Sequence, residues 1–196
     1  MSYTNRQIEI IEAATKLVGD KGIQNLTTKN LAAEMGFTEP ALYRHFKGKT
    51  EILVSVLNYF REGLQKGIQE IVQADSTGIK KLEEIMQLQF QTFTDNPAIV
   101  MVIFAETSFQ YEQALSDAVL KIMNQKKMMI EMIISIGQKD GSIRKDIDAA
   151  YLASFFMGSM RFTILRWRLN NYNFSLIHEG EKLWDAGDKM MTCNLK

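Results

Sequence analysis

Polar and aromatic side chains are concentrated between residues 38 and 49, in a pattern that suits contact with a nucleic acid. The outer face of a short predicted helix carries Glu39, Pro40, Tyr43 and Arg44, with His45 beside them. Groups of these types can reach base edges and phosphates in a major groove. Lys47 and Lys49 follow near the start of the next predicted helix, where backbone N–H groups and a lysine together suit a phosphate.

Two short helices joined by a tight turn are predicted to hold this face in place. Thr27 can cap a helix that runs through Ala33, and Thr38 can cap a second helix that runs through Phe46. Gly36 lies between them and permits a left-handed backbone conformation. The inward positions of the two helices are apolar, namely Leu31, Ala32, Leu42 and Phe46. This spacing predicts a helix-turn-helix, although any helical hairpin has caps at its helix starts and a glycine in its turn.

A family resemblance favours the helix-turn-helix. The residues that carry it are Thr27, Thr28, Leu31, Ala32, Gly36, Phe37, Thr38, Ala41, Leu42, Tyr43, His45, Phe46, Lys47, Lys49, Glu51 and Leu53. In this order and spacing, and preceded by a helix over residues 10–22, they closely resemble the N-terminal domain of the TetR (tetracycline repressor) family of bacterial transcription regulators. The resemblance covers roughly residues 6–55. A weaker one, over residues 141–148, is to a linker before the dimer-forming helices of these proteins.

The resemblance implies a role for each matched position. It implies that Thr27 and Thr28 touch the phosphate backbone and that His45 and Lys49 add phosphate contacts. The implied groove-facing surface consists of Thr38, Glu39, Pro40, Ala41, Tyr43 and Arg44. A carboxylate at Glu39 is repelled by phosphates but can accept from a cytosine amino group.

The rest of the chain is predicted to be all-α, with about nine helices. Pro40 and Pro97 are the only prolines, apolar residues recur at three and four residues, and no sustained period-2 run occurs. We expect a DNA-binding domain over residues 1–50 and a connecting helix over about 50–74. A ligand-binding and dimerisation domain is expected over residues 75–196.

Methionine and phenylalanine are frequent in the expected second domain, and they suit either an ordinary core or a pocket for a flexible apolar effector. The candidate pocket residues are Met86, Phe90, Phe93, Met101, Phe104, Met123, Met157 and Met160. One recognition helix reads one half-site, so the mechanism requires a homodimer on double-stranded operator DNA. The candidate seam residues, in the last two helices, are Tyr151, Phe155, Gly158, Phe162, Leu165, Leu183 and Trp184.

Composition excludes several other classes of protein. The 196 residues carry no formal net charge, because residues 1–50 hold two more basic than acidic residues and the remainder holds two more acidic than basic ones. Cys193 is the single cysteine, which excludes a disulfide scaffold and fits a reducing compartment. No membrane span or signal peptide is evident, so we expect a soluble cytoplasmic protein.

An enzyme is disfavoured, because the two histidines lie far apart and no phosphate loop or nucleophile elbow is present. No catalytic residue, metal site or cofactor is predicted. The favoured function is a ligand-responsive repressor that binds a palindromic operator as a dimer and is released by a small, largely apolar effector. A helical carrier or adaptor without DNA binding is the alternative.

Overall fold

The computed structural model describes residues 3–104 and 113–192, and within these ranges the chain is helical, without β-strands. In this described part, a 3₁₀ turn at Ile23–Asn25 accompanies nine α-helices. The helices are α1 (Asn5–Lys21), α2 (Thr28–Glu34), α3 (Glu39–Tyr43), α4 (Lys49–Gln73), α5 (Gly78–Asp95), α6 (Pro97–Ile103), α7 (Gln113–Asp140), α8 (Ala149–Leu169) and α9 (Leu176–Met191). The all-α fold is thereby confirmed. Cys193 lies outside the described residues. Within the described ranges, no helix is long and apolar enough to cross a membrane.

Most helix boundaries follow the capping signals of the sequence, although Thr38, at the N-cap position of α3, makes no side-chain capping hydrogen bond. The Asp148 carboxylate accepts from the Ala150 N–H at 2.8 Å and caps the start of α8. Gly22 ends α1 with φ +81°, a conformation that favours glycine. One end differs from expectation, since the helical part of α3 stops at Tyr43 rather than Phe46. α9 begins at Leu176, where the Ser175 hydroxyl accepts from the His178 N–H at 3.1 Å.

The helices form two compact units. The first contains the chain up to Gly63 together with Asn96–Leu120, and the second contains Leu64–Asp95 together with the chain from Lys121 onward. The expected division at residues 50 and 75 stays a prediction.

In the first unit, α6 packs against α1. A methyl group added at Gly19 would lie 2.9 Å from the Ala98 Cβ, so the glycine allows a close approach of the two helices. Buried residues of α1, among them Ile10, Ile11 and Val18, form much of this core.

In the second unit, α9 packs against both α5 and α8. Gly180 permits the closest contact, because a Cβ there would lie 2.2 Å from the Phe90 ring. The start of α5 is held by Asp140, whose carboxylate accepts from the N–H of Gly78 at 2.8 Å. Aromatic and aliphatic side chains of α5 and α8, including Phe90, Phe156 and Trp167, fill the core.

Candidate nucleic-acid interface and effector region

The predicted helix-turn-helix is built on a buried apolar base. Leu31 and Ala32 of α2 and Leu42 of α3 are buried, as is Phe46 just beyond α3. These are the four positions that the sequence predicts to face inward. Because their burial fixes the rotation of both helices, the outward side of α3 is fixed as well.

The turn between α2 and α3 is closed by backbone hydrogen bonds. The Phe37 N–H donates to the Ala32 carbonyl at 2.7 Å, and the Gly36 N–H donates to the Ala33 carbonyl at 3.2 Å. Gly36 has φ +66°, which explains glycine at this position. The α2 cap also forms as expected, since the Thr27 hydroxyl accepts from the Asn30 N–H at 3.0 Å.

The predicted contact residues form an accessible surface around α3. Tyr43 has 52% of its surface exposed although it is a large aromatic residue in a well-packed motif. The other exposed members of the set are Thr27, Thr38, Pro40, Arg44 and Lys47, whereas Thr28, Glu39, Ala41, His45 and Lys49 are half-buried. Exposed phenolic, guanidinium and ammonium groups match the hydrogen-bonding needs of a DNA backbone and groove.

Glu39 has a partner that sequence reasoning missed. The Thr28 hydroxyl donates to a Glu39 carboxylate oxygen at 2.8 Å, which joins the first turn of α2 to the first turn of α3. The carboxylate also lies at the N-terminus of α3, where the helix dipole favours negative charge. Glu39 therefore serves the internal geometry of the motif in the free protein.

Three basic or polar side chains tie the motif to its surroundings. The Lys49 ammonium donates to the Ile23 carbonyl at 3.3 Å, and the Gln7 side-chain amide donates to the His45 carbonyl at 3.3 Å. The Arg6 guanidinium lies 4.9 Å from the centre of the Phe37 ring, a cation–π distance. Gln7 and Arg6 were not among the predicted site residues, since their neighbours lie more than 30 positions away in the chain.

Two of the eight candidate pocket residues line a cavity in the second unit. A cavity of about 520 Å³ lies between α5 and α9 in the second unit, and its lining includes Met86 and Phe90 of the predicted set. Phe93 and Met160 are buried, Met157 is half-buried and Met123 is exposed, all in the same unit. Met101, half-buried, and Phe104, buried, belong to the first unit. The assignment of these eight residues to an effector pocket stays a prediction.

Four carboxylates line this cavity. Glu83 and Glu84 of α5 and Glu181 and Asp185 of α9 belong to the lining, together with Trp184 and other apolar groups. The Glu83 carboxylate is engaged by the Lys80 ammonium at 2.7 Å. The lining therefore combines negative charge with apolar side chains.

A lysine and a glutamine meet elsewhere in the second unit, at inward positions of two helices. The Lys126 ammonium on α7 donates to the Gln89 side-chain oxygen on α5. Burial lowers the pKa of Lys126 from its ordinary 10.5 to about 8, because the protein solvates an ammonium less well than water does. Neither residue was among the predicted site residues, because a lysine in a helix is usually solvated.

One side of α8 exposes large apolar residues. Tyr151, Phe155 and Phe162 are 68%, 67% and 63% exposed, and Gly158 lies exposed between them. Their spacing of four, three and four residues places them on one face, opposite the buried Leu152, Phe156 and Met160. A contiguous exposed patch of this kind marks an interaction surface. Of the other candidate seam residues, Leu165, Leu183 and Trp184 are half-buried, and Trp184 lines the cavity.

Comparison with known proteins identifies the family. Residues 10–56 match the model of bacterial regulatory proteins of the tetR family, and residues 57–186 match the C-terminal region of YsiA-like proteins. The nucleoid occlusion factor SlmA of Photobacterium profundum is 25% identical over 186 residues, which cover 92% of this chain and 93% of SlmA.

Two solved regulators share the fold over nearly their whole length. FadR from Bacillus subtilis, solved with stearoyl-CoA, has a TM-score of 0.79 at 18% identity, covering 93% of this chain and 97% of FadR. The fatty acid degradation regulator FadR from Bacillus halodurans has a TM-score of 0.83 at 14% identity, with 96% and 97% covered. With both parts of the chain matched, the protein belongs to the tetR family of bacterial regulatory proteins, which are dimeric, ligand-responsive DNA-binding proteins.

Proposed function

We propose that this regulator is a repressor that binds a palindromic operator as a homodimer and leaves it when a small, largely apolar effector binds. Residues 1–50 would read the DNA, and residues 75–196 would bind the effector and the second subunit. The protein would act by binding rather than by catalysis, in the cytoplasm, where the chromosome lies. The observation that carries the proposal is the exposed face of α3, held on a buried base by α2.

Each exposed group of this α3 face can contact DNA. The Tyr43 hydroxyl can donate to a phosphate while its ring packs on a sugar, and the Arg44 guanidinium can bind either a phosphate or a guanine edge. Lys47, on the loop before α4, adds a positive charge beside them. Glu39 would keep its hydrogen bond to Thr28, which directs the carboxylate to a neighbour within the protein.

The exposed side of α8 is proposed as the dimer seam. Burying Tyr151, Phe155 and Phe162 against a second copy removes apolar surface from water, which favours association. A dimer can bind two half-sites when its recognition helices are separated by about 34–36 Å or a multiple of that distance. Gly158 would allow the partner helix to approach closely.

Release follows from thermodynamic linkage. An effector that binds more tightly to a dimer whose recognition helices are wrongly spaced lowers the affinity for the operator by the same factor. An apolar effector is supported by the methionines and phenylalanines of the second unit, and by the stearoyl-CoA bound to the Bacillus subtilis FadR, which shares the fold.

Selection from a random pool of duplex DNA tests the DNA-binding function. We expect a palindromic consensus bound by the wild-type dimer, with an affinity that falls steeply as salt rises. Arg44→Ala should weaken binding by about fivefold to 150-fold, since it removes a charged contact worth about 1–3 kcal/mol. Lys66→Ala is the matched control, because Lys66 is exposed on α4 beyond the helix-turn-helix.

The same experiment addresses the dimer. Phe162→Glu should yield a folded monomer, seen by analytical ultracentrifugation, that no longer retains the palindrome. Failure to recover any duplex from the pool would contradict the proposal. Ligand binding without DNA binding would favour the helical carrier instead.

A further inference from the structure

The hydrogen bond between Thr28 and Glu39 limits what each side chain can do on DNA. The Thr28 hydroxyl donates to Glu39 Oε1 at 2.8 Å, and both residues are half-buried. A hydroxyl has a single proton to donate, and the phosphate oxygens of DNA need a donor. A Thr28 hydroxyl that donates to Glu39 therefore cannot make the phosphate contact that the family resemblance implies for it.

The second carboxylate oxygen of Glu39 remains available to another donor. Among the residues that the structure describes, no lysine, arginine or histidine forms an ion pair with Glu39, and the bond to Thr28 uses Oε1 alone. Glu39 is the first residue of α3, and the N-terminal residues of a recognition helix are those that contact base edges. Glu39 Oε2 can therefore accept a hydrogen bond from a base in the major groove.

The donors of the major groove decide which base such an oxygen can contact. Guanine presents the acceptors N7 and O6, and thymine presents the acceptor O4, all of which repel a carboxylate. Adenine presents an amino group next to the N7 acceptor, whereas the amino group of cytosine has no acceptor beside it on the same base in this groove. A carboxylate that is held in one orientation therefore favours cytosine.

We propose that Glu39 determines specificity by reading one cytosine in each half-site, and that Thr28 is a positioning residue that holds the carboxylate rather than a phosphate contact. This base preference rests on the proposed binding to a palindromic operator. Because the bond to Thr28 already orders the Glu39 side chain, less conformational entropy is lost when Oε2 accepts from cytosine. The expected preference for cytosine at that position is at least about fivefold, the lower end of the usual cost of one mismatched base pair.

Selection from random duplex DNA by the wild type and by Glu39→Gln tests the base contact. Glutamine keeps an oxygen that can accept from Thr28, and its side-chain amide suits adenine, with which it can pair through N6 and N7. We expect the preferred base at one symmetric position of each half-site to change from cytosine to adenine, with the other positions unchanged. Glu70→Gln is the matched control and should select the wild-type consensus, because Glu70 is exposed on α4 beyond the helix-turn-helix.

Two variants of Thr28 test its role as a positioning residue. Thr28→Val keeps the shape of the side chain without its hydroxyl, whereas Thr28→Ser keeps the hydroxyl. Fluorescence anisotropy compares their affinities for the wild-type consensus duplex and for duplexes that carry each other base at the cytosine position. Thr28→Val should lose most of the preference for cytosine, and Thr28→Ser should retain it. Thermal unfolding followed by circular dichroism checks that all the variants fold.

Two results would overturn the inference while leaving the proposed function intact. The first is a consensus that is the same for the wild type and Glu39→Gln, which would show that Glu39 reads no base. The second is a Thr28→Val variant that binds every duplex more weakly by the same factor with its base preference unchanged, as loss of a phosphate contact predicts. A wild-type protein that retains no duplex from the pool would instead refute the proposed function.

Discussion

Replacing Lys126 with methionine should stabilise the effector-free protein, because the native structure holds this ammonium in a poorly solvating environment. Its pKa falls from 10.5 to about 8 in the folded protein. Since one unit of pKa corresponds to about 1.4 kcal/mol, keeping the group charged near neutral pH costs up to about 3 kcal/mol. Lys126 retains some contact with solvent, so we expect a net gain of about 1–2 kcal/mol in the free energy of unfolding for Lys126→Met.

The difference in stability between Lys126→Met and the wild type should depend on pH. Between pH 8 and 10.5 the unfolded chain holds the Lys126 proton and the native protein releases it. Because the unfolded state then binds more protons, the wild type gains stability as the pH rises through this window. The difference between Lys126→Met and the wild type should therefore be greatest below pH 8 and shrink toward pH 10.5.

Urea unfolding at pH 7 and at pH 10, monitored by circular dichroism, measures both effects. Lys121→Met is the control, and it should show no comparable gain, because the Lys121 ammonium is exposed. A Lys126→Met variant less stable than the wild type, by an amount that does not vary with pH, would refute the reasoning.

Two further variants of the second unit test its packing and its helix caps. Gly180→Ala should lower the free energy of unfolding by about 1–3 kcal/mol, because its Cβ would lie 2.2 Å from the Phe90 ring. Gly187 on the same helix faces open space, so Gly187→Ala should be neutral or stabilising by up to about 1 kcal/mol. Equal urea midpoints for the two variants would contradict the close contact between Gly180 and Phe90. Partial burial acts to raise the pKa of Asp140, but hydrogen bonds from Ser142 and Gly78 outweigh it and hold the pKa below 3.8. The wild type should therefore lose stability as the pH falls through that lowered pKa, and Asp140→Asn should show a shallower acid limb; superimposable acid unfolding curves would count against this cap.

The helix-turn-helix could be predicted because its determinants are local. Thr27 and Gly36 act on groups within a few residues, through a cap and a left-handed turn. The spacing of Leu31, Leu42 and Phe46 predicts which face of the motif points inward, and all three residues are buried. Signals of this range are present in the sequence before any tertiary contact forms.

The effector region could not be predicted in the same way. Methionine and phenylalanine have similar patterns in a core and in a pocket, so the eight candidates included buried Phe93 and exposed Met123 alike. Trp184, expected at the dimer seam, lines the cavity between α5 and α9. The rotation of each helix about its axis decides which of these residues point toward a neighbouring helix. That rotation depends on packing between segments that are distant in the chain.

The sequence by itself therefore determined an all-α chain, the positions of its caps and turns, and a DNA-reading segment near its N-terminus, because each follows from interactions over a few residues. The tertiary structure decided the partners of groups far apart in the chain: Thr28 with Glu39, Gln7 with the His45 carbonyl, and Lys126 with Gln89. The physical reason is that hydrogen bonding and desolvation depend on which side chains meet and how much water remains around them. For Lys126 the surroundings lower its pKa.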